Sequence, residues 1–416
     1  MEKLVQKAIF SEKDEDRKKA IAKIIKMANK KGIWLDSTQK LYEKMAHGDC
    51  RGFTVPAINI RTLTFDSAKA VFRAAHKEDV GAFIFEIAKS EINYTSQSLE
   101  EYIAVILAAG IQEKFKGPIF FQGDHFRINP QKYFSEGKKQ ELEEIKDLIE
   151  KAIKTGFYNI DIDCSSLKDI KENACLTSEL TYFIRKMQPE KMIVSIGGEI
   201  GEIGKDKDTT VKELVMFMDE YKKNLSKYGE LKGVSKIAIQ ARTVHGGILL
   251  ASGKLEEVKE DFSILKKLSR KAREYKTAGI VQHGASTLPK KHFAHFPDSE
   301  VCEIHLATNF QNIIYESSYF PKHLKKVIYN WIKEKFAKEK KETDTEIQFL
   351  YKFRKKALGP FKKAIYDIPK KNRDKISEQL EREFIFLFKA LKVCQTKKLI
   401  KEIYSKKSRN KFFAFS

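Results

Sequence analysis

Up to about Asn312 the apolar residues of this chain fall into short continuous runs, and each run stops on polar groups. Eight such runs can be read: GFTVPAINI, GAFIFEIAKS, GPIFFQGDH, YNIDIDCSS, MIVSIGGEIG, SKIAIQARTVHGG, AGIVQHGAS and VCEIHLATN. Apolar residues on consecutive positions over so short a length predict strands buried on both faces. Between the runs the apolar spacing changes to three and four. FDSAKAVFRAAHKE, SLEEYIAVILAAGIQEKF, KKQELEEIKDLIEKAIKTG and DFSILKKLSRKAREYKTAG predict helices, the last two stopping on Gly156 and Gly279. Strands of this kind alternating with helices predict a parallel sheet with helices on its outside. Eight repeats over about 250 residues predict an α/β fold of the (β/α)8 TIM barrel type, with a doubly wound open sheet as the alternative. Residues 1–50 read as a charged helical lead-in and 51–315 as the barrel. Residues 316–416 read as a basic helical extension, packed on the barrel or at an oligomer interface.

Composition narrows the class. The chain has 416 residues and 42% hydrophobic content, enough for a sizeable core. It contains no apolar run of about 18 residues, so no membrane span is expected. The charged start MEKLVQKAIFSEKDEDRKK is not expected to be a secretory signal. Five scattered cysteines without a CxxC pair fit a reducing, cytoplasmic setting rather than a disulfide scaffold. The net charge of +22 invites a nucleic-acid partner, but from Pro321 onward 28 Lys and Arg face 11 Asp and Glu, so +17 of it lies in that last stretch. Aromatics at helical spacing there, such as Trp331, Phe336, Phe349 and Phe353, read as a folded segment with a solvated basic face. Neither nucleic acid nor membrane is expected as the partner.

The polar groups at the ends of the runs carry the chemistry. In a barrel of parallel strands, functional residues sit where the strands end. The first run ends near Asn59, the third on Asp124 and His125, the fifth on Glu199, the sixth on His245-Gly246-Gly247 and the seventh on His283-Gly284-Ala285-Ser286. The eighth carries His305 and Thr308. Asp161 and Asp163 alternate on the fourth and so face one side, either toward the rim or within the barrel layers. Four of the nine histidines in the chain thus reach one rim. Imidazoles from the third, sixth and seventh strands would converge over the mouth, and three neutral imidazoles with an open position make a catalytic zinc site. Glycine after a ligand lets backbone N–H groups approach an anion. GGEIGEIGK, by contrast, matches neither GxGxxG nor GxxxxGK[ST].

In order along the chain, PAINI, GDH, GEIG, TVHGG, QHGAST and IHLATN resemble the motifs of the class II, metal-dependent ketose-bisphosphate aldolases. The resemblance runs from about Gly52 to Ile314. It implies zinc, or another divalent transition metal, on His125, His245 and His283, with Glu199 as a further metal-site carboxylate. A monovalent cation is a further candidate. Asp124 would move the proton of the hydroxyl at the bond being broken. Gly246, Gly284, Ser286 and Thr308 would hold the ketone-side phosphate, and Asn59 would contact substrate. The implied reaction is reversible cleavage of a fructose- or tagatose-type ketose 1,6-bisphosphate to dihydroxyacetone phosphate and an aldehyde. The apolar helices of the tail, independently, point to a homo-oligomer.

This sequence departs from the family in places. Ala285 and Thr287 stand where glycines are usual, and Gln122 stands where the family has a histidine. His305 replaces the asparagine that helps orient the enediolate. It either substitutes for the amide as a donor or marks altered chemistry. In the loop GKDKDTT the position of the family's proton-shuttling carboxylate holds Lys207, so Asp206 or Asp208 is the candidate. The tail also resembles the non-catalytic companion subunit of tagatose-bisphosphate aldolase. A silent subunit supporting a partner aldolase, or the same barrel acting on another phosphorylated sugar, are therefore the rival readings.

Overall fold

The computed structural model describes residues 1–167, 169–201, 208–241, 249–250 and 261–404. Its strands are β1 (Ile33–Asp36), β2 (Val55–Asn59), β3 (Ile84–Ala88), β4 (Gly117–Arg127), β5 (Asn159–Asp163), β6 (Ser195–Ile200), β7 (Lys236–Ile239), β8 (Ile280–Gln282) and β9 (Glu303–Leu306). All pairings are parallel, and the order β4-β3-β2-β9-β8-β7-β6-β5 closes through β4–β5 into an eight-stranded barrel. The eight apolar runs are its eight strands, and the open-sheet alternative falls because the ring closes.

Helices cover the outside. Thr64–Lys77, Leu99–Gln112 and Lys138–Thr155 lie where the three- and four-residue spacing places helices, and Ile170–Met187 is a further one. Gly156 ends Lys138–Thr155 in the left-handed conformation at φ 113, a state that costs glycine no Cβ clash. Phe262–Glu274 stops short of Gly279, because Lys276 already takes the left-handed turn at φ 64 and Gly279 opens the way into β8. Phe72, Phe83, Phe85 and Phe115 pack between the helix layer and the strands, with ring centroids 4.9 to 6.1 Å apart. Each such buried ring contributes about 2–3 kcal/mol.

The lead-in is not all helix. β1 lies beside the lower half of β4, from Ile33 opposite Gly117 to Asp36 opposite Phe120. The residues after it close the barrel floor. Thr38 donates from both N–H and hydroxyl to Asn159 Oδ1 at 2.8 Å, and Ser195 N–H donates to Ser37 Oγ at 3.0 Å. Leu41, Tyr42, Phe120, Val281, Ile400 and Tyr404 pack there as a second apolar cluster. The C-terminal helix Lys370–Ala390 lies on Thr64–Lys77, where Arg373 meets Asp66 at 2.6 Å and Ser377 donates to the Asp66 carbonyl at 2.7 Å.

β4 is the irregular strand. Its register with β5 shifts between Gly123 and Phe126, and His125 in that bulge has φ 42, a left-handed state that costs a non-glycine residue about 1–2 kcal/mol. Gly123 permits the bulge, since a Cβ there would overlap the Phe126 ring. Gly123→Ala is expected to lower stability by about 1–3 kcal/mol in urea titration and to displace Asp124 and His125.

On the floor, burial pushes the Asp36 carboxyl up to about 6 from its ordinary 3.8, against hydrogen bonds from the Ser37 N–H and the Trp34 indole. The folded chain therefore holds this proton more tightly than the open chain, and the contribution is lost as pH rises through that range. Asp36→Asn is expected to gain on the parent by about 2–3 kcal/mol between about pH 4 and about pH 8, read from urea midpoints at both.

Candidate active site

The bulge aims two adjacent side chains of β4 into the mouth. His125 Nδ1 lies 3.0 Å from Asp163 Oδ2 on β5 and 3.0 Å from Glu199 Oε2 on β6. That leaves its Nε2 on the side of Asp124, 3.8 Å from Oδ1. His283 follows β8 directly, its ring centroid 4.3 Å from that of His125 and 4.0 Å from that of His305. Asp124, His125 and His283 offer ligand atoms that all lie within 4.8 Å of one another. Burial works against a charge on His125, but Asp124, Glu199 and Asp163 outweigh it and hold its pKa well above the usual range. Glu199 is pushed up to about 7 by burial and by Asp163, with His125 opposing. Three carboxylates around two imidazoles make a place that favours a cation. The donor set of a transition metal fits it, with Asp163 and Glu199 orienting His125 from behind.

A second polar layer lies below the mouth, inside the barrel. His305 Nδ1 is 2.9 Å from Glu86 Oε2 and 3.2 Å from Asp124 Oδ1, while Nε2 is 2.7 Å from Glu303 Oε1. Glu303 also pairs with Lys236 and accepts from the Tyr42 hydroxyl. Lys236 donates to Gln122 Oε1 at 2.7 Å and stands 3.0 Å from Asp161. Burial raises Glu86 to about 7 against the pull of His305, and Asp161 to about 6 against that of Lys236. Burial would raise Glu303 too, but Lys236 and His305 hold it down at about 2.

The cavity over this layer has a volume of about 700 Å3. Asn59, Glu86, Asp124, His125, Glu199, His283, Gly284, Ser286, His305 and Thr308 all line it. On one side, Gly284 takes φ 72 and Ser286 Oγ accepts from the N–H groups of Ala307 and Asn309 at 2.8 and 3.1 Å. This ties the strand-end loop after β8 to the start of the helix Thr308–Glu316. Arg61 donates to Thr308 Oγ1 at 3.3 Å and to Glu91 at 2.7 Å, and Asn59 donates to Glu91 at 2.6 Å. Lys355 enters the lining from the C-terminal segment.

The structure brings together the expected residues from six of the strands. His245, Gly246, Asp206 and Lys207 lie outside the described residues. Asp208 does not line the cavity. The alternating pair on β5 splits between both readings, with Asp163 behind His125 and Asp161 in the lower layer. Glu86, Lys236 and Glu303 escape the sequence reading because each sits inside an apolar run, in IFEIA, SKIAI and CEIHL. A charged residue on the inward register of a strand that is buried on both faces is the signal that finds them.

The sequence pattern of the family described as "Fructose-bisphosphate aldolase class-II" matches residues 37–373. Among solved structures, a fructose-bisphosphate aldolase from Campylobacter jejuni is similar at 17% identity and a TM-score of 0.53, over 88% of this chain and 96% of that one. A protein from Sinorhizobium meliloti described as a probable tagatose 6 phosphate kinase is similar at 13% identity and a TM-score of 0.58, over 84% of this chain and 99% of that one. At these identities the structural likeness concerns the barrel fold. The family pattern reaches from the barrel floor through every described strand of the mouth into the C-terminal helices, and by that match the chain belongs to the class II fructose-bisphosphate aldolase family.

Proposed function

We propose that this chain is a zinc-dependent aldolase that reversibly cleaves a ketose 1,6-bisphosphate of the fructose or tagatose type to dihydroxyacetone phosphate and an aldehyde. The observation that carries the reading is the β4 bulge, which sets Asp124 and His125 side by side with His283 at ligand distance. His125, His245 and His283 would hold the metal, with Glu199 beside His125. Bound there, the metal supplies Lewis-acid stabilisation of charge on the ketone half.

The protein's own residues do the rest. Asp124 takes the proton from the hydroxyl of the aldehyde half as the carbon–carbon bond breaks. The electron pair of that bond passes to the ketone half as an enediolate, and the hydroxyl carbon leaves as the aldehyde. Asp206 or Asp208 would return a proton to the enediolate carbon. Ser286 and Thr308, with Gly246 and Gly284 in the flanking loops, would clamp the phosphate, so that remote binding energy fixes the reacting geometry. Asn59, held by Glu91, would meet substrate from β2. A homo-oligomer in the cytoplasm is part of this reading.

Metal content and triose-phosphate release from fructose and tagatose 1,6-bisphosphates test it. The parent should carry about one zinc per chain and lose release on chelation. His245→Ala should lose both zinc and release. Asp124→Asn should keep zinc and lose about 10²–10⁴-fold in kcat. Zinc without release of either triose would favour the silent-subunit or other-sugar reading. A folded protein that takes up no zinc would sink the three-histidine site.

A further inference from the structure

The mechanism above uses Asp124 but leaves His305 and the layer beneath it unused. That layer is built around Glu303, which is fully buried. Its carboxylate meets Lys236 and Tyr42, Gln122 Nε2 at 2.8 Å and His305 Nε2 at 2.7 Å. Glu303 and His305 are two residues apart on β9, so both point inward, one layer above the other. The ring of His305 is therefore held at both nitrogens, by Glu303 from below and by Glu86 and Asp124 from above. The chain runs Lys236, Glu303, His305, Asp124, from the centre of the barrel to the group assigned the proton transfer.

We propose that Glu303 and Lys236 are positioning residues of the reaction, which fix the His305 ring beneath Asp124 from inside the barrel. Two features support a functional use over simple filling. A dry barrel centre is packed at least cost by branched apolar side chains, and a buried ion pair is no more stable than such a filling. The partners are also directional: Glu303 Oε1 is shared among the ammonium, the Gln122 amide and the imidazole, which sets where the ring stands and which nitrogen faces Asp124. A ring free to turn would move the imidazole that stands 3.2 Å from Asp124, and a displacement of about 1 Å costs about 100-fold in rate.

The inference rests on the proposed aldol reaction, so its test carries two readouts. One is steady-state cleavage by the zinc-loaded protein. The other is the ¹⁵N spectrum of the His305 ring, assigned by its loss in His305→Gln. Glu303→Gln and the double variant Lys236→Gln/Glu303→Gln are compared with the parent. The double variant removes both charges of the pair together but takes Lys236 away from Asp161 as well, so a urea titration checks that the fold is kept. Both variants should lose about 10- to 100-fold in kcat, with KM and bound zinc within about twofold, and both should shift the His305 ring nitrogens. Unchanged kcat in the double variant overturns the proposal. So does a loss of kcat that only follows a loss of zinc. If the parent cleaves no ketose bisphosphate, the reaction assigned above fails on its own. The ring spectrum then decides: shifted nitrogens uphold the positioning role, and unchanged ones overturn it.

Discussion

The ammonium of Lys236 stands in the buried centre of the barrel, where it faces the carboxylates of Asp161 and Glu303. Moving an isolated carboxylate into such a place costs several kcal/mol even after relaxation. Asp161, Glu303 and, one layer up, Glu86 and Asp124 all face this interior. Lys236 and His305 supply the opposing charge, and Gln122 and Tyr42 fill remaining hydrogen-bond positions on Glu303. Lys236 and His305 hold Glu303 down at about 2, whereas burial outweighs the pull of Lys236 on Asp161 and of His305 on Glu86, which rise to about 6 and about 7.

Upon that layer the mouth is assembled from strained parts. β4 leaves its regular register for two residues, and the fold accepts His125 in a left-handed conformation to obtain Asp124 and His125 on one side. The cost is offset by what holds the bulge: Asp163 and Glu199 on the two following strands grip the His125 ring. The opposite wall needs less strain, since Gly284 takes its turn freely and Ser286 fastens it to the backbone of Ala307 and Asn309.

Much of this was legible in the sequence, for identifiable reasons. Barrel strands buried on both faces write themselves as continuous apolar runs, so all eight could be read. The polar residues at their ends, such as Asp124, His125 and His283, stood out because they interrupt that text. β1 could not be read, because IWLD is only four residues long and is bounded by helices on both sides. Nor could the lower polar layer, since Glu86, Lys236 and Glu303 sit in the middle of runs whose neighbours set the pattern. His305 looked like an isolated departure from the family's asparagine. It belongs to a set: an imidazole there faces carboxylates at both nitrogens, and Glu86 and Glu303 are the side chains that meet it.

The basic extension divides in the same way between surface and site. Most of its described lysines are exposed, as helical spacing with a charged face predicts. A few basic side chains turn inward and hold the segment in place. Arg354 is buried against Glu316 at 2.5 Å and over the Tyr351 ring at 4.5 Å, and Lys362 donates to the Ser96 carbonyl at 2.6 Å and to Glu101 at 2.7 Å. Between them Gly359 comes so close to the helix Lys89–Thr95 after β3 that a Cβ would stand 2.8 Å from the Tyr94 carbonyl oxygen, and its N–H donates to that oxygen at 2.9 Å. The segment from Arg354 to Lys362 is thus fastened at both ends to elements that form the cavity wall, and Lys355 lies in between, in the lining. A net charge that in the sequence looks like a property of the surface is, at this one stretch, part of how the mouth is walled.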